Sequence, residues 1–282
     1  MAAIFATIVA MQREDSMARL QLDRRGDVAI VRFDNPPHGY MDEPMVDELD
    51  AATETLAADQ EVRALVFTGA LPGVFIQHYS VEELETIARS LRARKLKFRE
   101  DRPAPPRKLD RVFDRLGAMD KPTIAAINGN AMGGGFEFCL ACDLRLAERG
   151  PYSIGLPEIN IGILPGGGGT QRLARLVGEA RALELVLCGK TVDAEEAARL
   201  GMVHEAVDGP VLDRALALAR ELAGKSALAV KHIKRLIRGA HAASLTDNLT
   251  LERTLFLDLL VSDAAQPLLQ QFVAGTRDIR TR

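Results

Sequence analysis

The sequence predicts a mixed α/β fold closed at its C-terminal end by a layer of helices. Three observations predict it. Short apolar runs punctuated by glycine and proline fill the first half, helical periodicity fills the last third, and 47% of the 282 residues are hydrophobic. That share of apolar residues, in a chain this long, suffices for one large core or two smaller ones.

The elements follow in order. Residues 19–24 (RLQLDR) and 27–33 (DVAIVRF) are alternating or apolar runs split by Arg25-Gly26, which reads as a hairpin. Pro36-Pro37 and Gly39 break the chain. From Glu43 to Ala58, Met45, Val46, Leu49, Ala52 and Leu56 recur at helical spacing, and residues 62–68 (VRALVFT) read as a buried strand. The spacing predicts a further helix over Val81–Phe98, basic toward its end, where Arg89, Arg92, Arg94, Lys95 and Lys97 gather just ahead of Arg99. RPAPPR at 102–107 cannot continue it, because proline supplies no N–H and clashes with the preceding turn. A second helix is expected over 108–118. The basic stretch 89–111 reads either as a mobile flap or as a solvated helical face.

After Pro122 comes a strand, TIAAI, then Gly133-Gly134-Gly135 opening a short helix over FEFCLACD, then a strand over LRLA. Helices are expected at about 168–177, 179–188, 193–200, 211–223, 226–239, 247–261 and 263–274, interrupted by one short strand, MVHEAV (202–207). Leu249, Leu251, Leu255, Leu259 and Leu260, with Leu268, Leu269 and Phe272, form apolar stripes that must cover either the chain's own core or a neighbouring subunit.

Composition excludes several function classes. A formal net charge of -3, aromatic content of 5% and no tryptophan argue against a nucleic-acid partner. No apolar run approaches the ~18 residues of a membrane span. Met1–Met11 is apolar but lacks a preceding positive charge, so residues 1–16 are expected to be a loose arm rather than a secretory signal. Three cysteines, Cys139, Cys142 and Cys188, are too few for a disulfide framework, and a cytoplasmic location is expected.

Two carboxylates and a glycine run carry the chemistry. Glycines ahead of a helix leave backbone N–H groups open to close approach by a ligand, at the positive end of the helix dipole. Gly133-Gly134-Gly135 could therefore form an oxyanion hole, or a turn serving tight packing alone. Glu137, in the first helical turn among Phe136, Phe138, Cys139 and Leu140, is either a dipole partner facing solvent or a functional acid. Glu158, in LPEINIG, has few polar neighbours; a carboxyl in apolar surroundings has a raised pKa, which suits proton transfer near neutrality. A turn-forming acid is the alternative. Cys139-Leu140-Ala141-Cys142 is a CxxC without a second pair for zinc, so packing is expected. Pro165–Thr170 (PGGGGT) looks like a phosphate cradle but lacks the Gly-Lys-Ser/Thr ending, and it is not a dinucleotide fingerprint either.

Across residues 122–205, PTIAAINGNAMGGGFEFCLACDLRLA, LPEINIGILPGGGGTQRLARLVG and LCGKTVDAEEAARLGMVHEAV closely resemble the enoyl-CoA hydratase/isomerase (crotonase) family, and the resemblance extends more weakly over 19–275. It implies a crotonase-like spiral of ββα units with two near-perpendicular sheets over 17–205. A C-terminal helical trimerisation layer over 206–282 would build a homotrimer or a dimer of trimers. It implies an acyl-CoA thioester as ligand, coenzyme A entering only as part of the substrate, with no other cofactor, no metal and neither nucleic acid nor membrane as partner. Two backbone N–H groups, of Gly134 and Tyr79, would hold the thioester oxygen. Glu137 and Glu158 fall on the positions of the two catalytic glutamates, and Gln77, His78 and Gly133 on the substrate-binding loops. The chain departs from the family pattern at His78 (usually glycine), at Tyr79 (usually small), at Gly39 (usually asparagine) and in a longer stretch between Ser80 and Lys121. These departures bear on the acyl group accepted.

The retained glutamate pair favours reversible syn addition of water to a 2-enoyl-CoA. The alternatives are double-bond isomerisation, thioester hydrolysis or C–C bond hydrolysis on the same fold. From another class, a non-catalytic CoA- or RNA-binding relative would draw only on the basic stretch 89–111.

Overall fold

Leu20–Arg25 (β1) and Val28–Phe33 (β2) form the expected antiparallel hairpin, with Arg25 opposite Val28 at its closed end. The computed structural model describes residues 18–280, so the arm expected over 1–16, and Met17 with it, lie outside the described residues. After the hairpin, Glu43–Ala58 (α1) starts where Asp42 accepts from the Met45 N–H, with Pro44 in the first turn where no N–H is needed. Its buried face is the predicted stripe of Met45, Val46, Leu49, Ala52 and Leu56.

From there the chain repeats one unit. A strand in a large sheet turns directly into a strand of a small sheet, and a helix or turn follows. Ala64–Gly69 (β3), Gly73–Ile76 (β4) and Val81–Ala93 (α2) make the first unit, with Lys108–Ala118 (α3) appended. Thr123–Ile127 (β5), Gly129–Met132 (β6) and Gly134–Ala141 (α4) make the second. Leu144–Glu148 (β7), Ile154–Gly155 (β8) and a 3-10 turn at Glu158–Ile161 make the third, followed by Gly169–Val177 (α5) and Glu179–Leu187 (α6). Thr191–Val192 (β9), Ala194–Arg199 (α7) and Glu205–Val207 (β10) complete the spiral. Val211–Ala223 (α8), Ala227–Gly239 (α9), Leu245–Leu260 (α10) and Gln266–Val273 (α11) follow.

The large sheet runs β1-β2-β3-β5-β7-β10 and is parallel after the first hairpin; the small one runs β4-β6-β8-β9. Asn128, between β5 and β6, locks neighbouring turns of the spiral together. Its Oδ1 accepts from the Gly69 N–H at 2.9 Å, and its Nδ2 donates to Gly69 O at 3.2 Å. On one side of the large sheet α8 lays Val211, Ala215, Leu216 and Ala219 against Val28, Ile30, Val66 and Ile124. On the other, α1, α3 and α4 share the larger core.

Some expectations shift. The helix foreseen to Phe98 ends at Ala93, and Lys95 adopts φ 53°, a left-handed conformation that an L-residue helix cannot pass through. MVHEAV contributes only Glu205–Val207 as strand; Met202 and Val203 are buried in the turn before it. The four strands of the small sheet were not foreseen from periodicity, since they are two to four residues long and two of them begin on glycine.

The floor of the site is aromatic. Phe138 of α4 meets Phe33 and Phe67 edge-on at 5.0 Å each and Phe113 of α3 at 5.9 Å, so it ties the site helix to both flanking elements. Edge-to-face pairs of this kind add to the hydrophobic term. Phe138→Ala leaves a ring-sized cavity directly under the site helix. It should cost about 3–5 kcal/mol of stability, read from the denaturant midpoint.

Candidate active site

The site is built where three neighbouring parallel strands of the small sheet end. β4 runs out into Gln77-His78-Tyr79, β6 into Gly133-Gly134, and β8 into Leu156-Pro157-Glu158. Backbone hydrogen bonds carry the register one step beyond the strands: the Met132 N–H donates to Gln77 O at 3.3 Å and the Gly133 N–H to Gly155 O at 2.9 Å. Residues far apart in sequence thereby become neighbours.

Gly133 sits at φ 50° and turns the chain sharply into α4. A side chain on Gly134 would lie 3.2 Å from Tyr79 Cβ and 3.6 Å from Tyr79 N, so glycine allows the two loops to approach. Neither the Gly134 nor the Tyr79 N–H donates to any acceptor among the described residues. Two free backbone donors side by side, one of them in the first turn of a helix, form a site for an oxygen that gains negative charge.

Glu137 is buried within α4, 3% exposed. Its Oε1 accepts from the Gly167 N–H at 2.7 Å, in the loop that leads into α5, and from the Gly169 N–H at 2.8 Å, at the first residue of that helix. The glycine tract that resembled a phosphate cradle therefore cradles a carboxylate of the protein itself. A side chain on Gly167 would fall 2.7 Å from Glu137 Oε2, so the loop must be glycine to come this close. Burial pushes the carboxyl up, while the two N–H bonds and then Arg107 and Arg172 oppose it.

Glu158 opens the 3-10 turn beside Gly133: a Cβ placed on that glycine would be 3.2 Å from Glu158 Oε1. Its Oε2 is buried and has no hydrogen-bond partner among the described residues. Burial, then its own backbone N–H acting in the opposite sense, then the charge of Glu137 leave its carboxyl raised to about 7. Two neighbouring carboxyls are thus treated differently. One receives two N–H donors from a neighbouring loop; the other keeps only the influence of its own backbone N–H and has a buried oxygen without a partner among the described residues.

The remaining expected residues fall around this centre. Gln77 is held by its backbone, its N–H donating to Gly39 O at 2.9 Å. His78 adopts no left-handed backbone; its ring stacks on Tyr40 at 4.5 Å and its Nδ1 lies 2.7 Å from Tyr79 O. The Tyr79 hydroxyl donates to Glu43 Oε2 at 3.3 Å, and burial, Glu83 and Glu43 push it well above the usual phenol range, so it stays protonated. Cys139 and Cys142 are buried free thiols; desolvation raises both, Cys142 to about 12. Among the described residues no group of three or more His, Cys, Asp or Glu side chains could hold a metal ion, and no helix is long and apolar enough to cross a membrane. Gly167 and Gly169 could not be assigned this role from the sequence, because both are buried and their acceptor lies 30 and 32 residues upstream.

Residues 23–277 match the family model for enoyl-CoA hydratase/isomerase. The chain is 32% identical over 87% of its length to a probable enoyl-CoA hydratase of Bacillus subtilis, covering 92% of that protein. It is 30% identical over 89% of its length to a short-chain-enoyl-CoA hydratase of Clostridium acetobutylicum, covering 93% of that protein. Among solved structures, Pseudomonas aeruginosa DspI superposes with a TM-score of 0.81 at 35% identity, over 96% of this chain and 99% of that one.

Glu158 makes stability depend on pH with a definite sign. Its carboxyl titrates near 7 in the fold against an ordinary value of 4.5, so the folded state holds the extra proton between those limits. Its stabilising contribution is complete below the lower limit and is lost as pH rises through about 7. Glu158→Gln removes that loss. Between pH 5 and pH 8.5 the Tm of the variant should rise relative to the parent by about 2–6 °C, a figure already discounted for solvent screening. Parallel thermal melts at the two pH values check it.

Proposed function

The chain belongs to the enoyl-CoA hydratase/isomerase family, and from that premise we propose that it adds water reversibly to a 2-enoyl-CoA through the paired carboxyls of Glu137 and Glu158. One observation carries this reading. The two carboxyls lie close enough for the charge of one to act on the other, and they have opposite environments. A pair of acids pushed apart in this way suits one proton acceptor and one proton donor. Isomerisation or thioester hydrolysis on this fold would call on one of them.

The thioester oxygen would accept from the Tyr79 and Gly134 N–H groups, which stabilise the enolate that forms as Cβ is attacked. Glu137, ionised and fixed through Oε1, takes a proton from water while the water oxygen bonds to Cβ. Glu158, protonated, gives its proton to Cα. The product has gained one water; Glu137 ends protonated and Glu158 ionised, and the proton returns through solvent or by reversal. Gln77, His78 and Gly133 would line the substrate through their backbone. Coenzyme A is then part of the substrate, and the chemistry requires no other cofactor.

We further propose a homotrimer or a dimer of trimers built by the C-terminal helices. Phe256 (58% exposed), Val261 (77%) and Val273 (86%) on α10 and its flanks and on α11 support it, since apolar area of this kind is seldom left to solvent. A sedimentation mass of three or six chains is expected. Free thiols at Cys139, Cys142 and Cys188 support a cytoplasmic setting.

Glu137→Gln and Glu158→Gln should each lower kcat by about 10²–10⁴-fold with a small change in KM, followed by loss of the conjugated thioester absorbance. Unchanged turnover in both would overturn the assignment. The forward and reverse reactions use the two tautomers of one singly protonated pair, so kcat/KM should follow the same bell in both directions. Its basic limb should fall near pH 7, where the pair loses its last proton.

A further inference from the structure

Arg107, the residue immediately before α3, closes the exposed basic segment and touches the site from behind. Its Nη2 donates to Gly166 O at 2.6 Å, while the same guanidinium holds Asp110 through Nη2–Oδ1 at 2.7 Å and Nε–Oδ2 at 3.1 Å. Gly166 O and the Gly167 N–H belong to one peptide group, and that N–H donates to Glu137 Oε1 at 2.7 Å. Guanidinium, peptide and carboxylate therefore form a single hydrogen-bonded chain. A peptide whose oxygen accepts from a cation is polarised, and its N–H becomes the stronger donor.

Arg172 of α5 provides the contrast. It donates to Gly167 O at 2.6 Å, pairs with Asp114 at 3.2 Å and lies 5.8 Å from the centre of the Phe113 ring. The N–H of the peptide it holds is that of Gly168, which makes no bond to Glu137. The Arg172 N–H donates to Gly168 O, whose peptide N–H reaches Glu137, but its guanidinium only anchors the loop; among the described residues the guanidinium in line with the carboxylate is that of Arg107.

The charged groups around Glu137 come from few elements. Glu158 faces it from the 3-10 turn, Arg172 from α5 and Arg107 from the segment ahead of α3. Asp110 and Asp114 of α3 pair with those two arginines, and α4 carries no other charge. Arg107 is 55% exposed at its side chain, so its direct field is screened by water. The hydrogen-bonded route begins at an exposed contact on Gly166 O, but its last link, from the Gly167 N–H to Glu137, is buried and less screened.

We propose that Arg107 is a positioning residue of the hydration site, which through the Gly166–Gly167 peptide keeps the Glu137 carboxyl ionised and aimed. The end of the basic flap and the readiness of the base are then coupled, and a chain segment without a buried residue of its own in α2 acquires a role in turnover. This rests on Glu137 being the group that takes the proton from water.

The test is the pH profile of kcat/KM for Arg107→Gln and Arg107→Lys beside the parent and Glu137→Gln. In Arg107→Gln the carboxyl loses its polarised donor, so the acid limb should move to higher pH by about half a unit or more. That is about a threefold extra loss of kcat/KM at a fixed acidic pH. The basic limb, which follows Glu158, should stay where it is, and Arg107→Lys, which keeps the cation, should leave the acid limb closer to the parent's. A uniform loss at every pH, or an unmoved acid limb in a variant with the parent's melting temperature, overturns the proposal. Glu137→Gln separates the two layers. If it retains full turnover, the reading of Glu137 as base fails; if it is inactive while the Arg107→Gln limb is unmoved, only the role of Arg107 fails.

Discussion

Two backbone hydrogen bonds, from the Met132 N–H to Gln77 O and from the Gly133 N–H to Gly155 O, set the geometry on which everything else in this molecule depends. They extend the parallel pairing of β4, β6 and β8 past the ends of the strands. Three loops leave the sheet in one direction and at strand spacing, so the Tyr79 N–H, the Gly134 N–H and the Glu158 carboxyl converge without any side chain having to choose its neighbour. The sheet is small, yet it is braced. Each of its first three strands is the direct continuation of a strand in the large sheet, and Asn128 pins the crossing between the second pair. The large sheet supplies the stability and the small one the precision.

Given that frame, the electrostatic problem is to keep two carboxyls close together in a dry place without wasting both as neutral acids. The solution is unequal treatment. Glu137 is fully enclosed, and enclosure alone would neutralise it, but two glycine N–H groups and two arginines behind them oppose that tendency. Glu158 is less enclosed yet ends with the larger resolved shift, because Oε2 has no donor and the nearest charge is negative. Hydrogen bonding rather than depth of burial thus sets the two carboxyls apart.

How much of this was legible in the chain follows from the same physics. Strands of the large sheet and most helices were visible because they bury whole faces, and burial writes a period into the residues: the stripe from Met45 to Leu56 reproduces the buried face of α1 except for Thr53. The small sheet was invisible to that method. Val74 and Ile76, or Ile154 beside Gly155, are too few positions for a period, and their identity answers to neighbouring backbones instead. Glu137 and Glu158, read singly, fit a dipole partner and a turn better than they fit chemistry; only their place in the long family-like block over 122–205 reverses that. The tract from Pro165 to Thr170 was noticed as an anion cradle and set aside for lacking a phosphate signature. Its anion turned out to be a side chain of the protein, and only the fold could reveal that. Arg107 was hidden for the same reason, one basic residue among many whose contact lies 59 positions away.

The helix that carries the site completes the argument. α4 is only eight residues long, and a short helix keeps its dipole for the thioester oxygen only if the other pole is neutralised. Its last carbonyls are taken by arginines. Arg145, 5% exposed, donates to Cys139 O at 3.2 Å and Cys142 O at 3.0 Å, and Arg238 of α9 donates to Cys142 O at 2.9 Å. A buried arginine whose hydrogen bonds all go to carbonyls would be hard to justify on stability alone, since desolvation pulls its charge down. It is intelligible as the counterweight to an N-terminus left deliberately open. With the far end discharged, the free Gly134 N–H, the free Tyr79 N–H and the unpartnered oxygen of Glu158 are left as a cluster of unsatisfied groups among the described residues. The buried Glu158 oxygen costs about 1–3 kcal/mol while it waits. On the proposed reading a polarised thioester and its Cα would satisfy all three together, and the binding of the reacting atoms would draw on that.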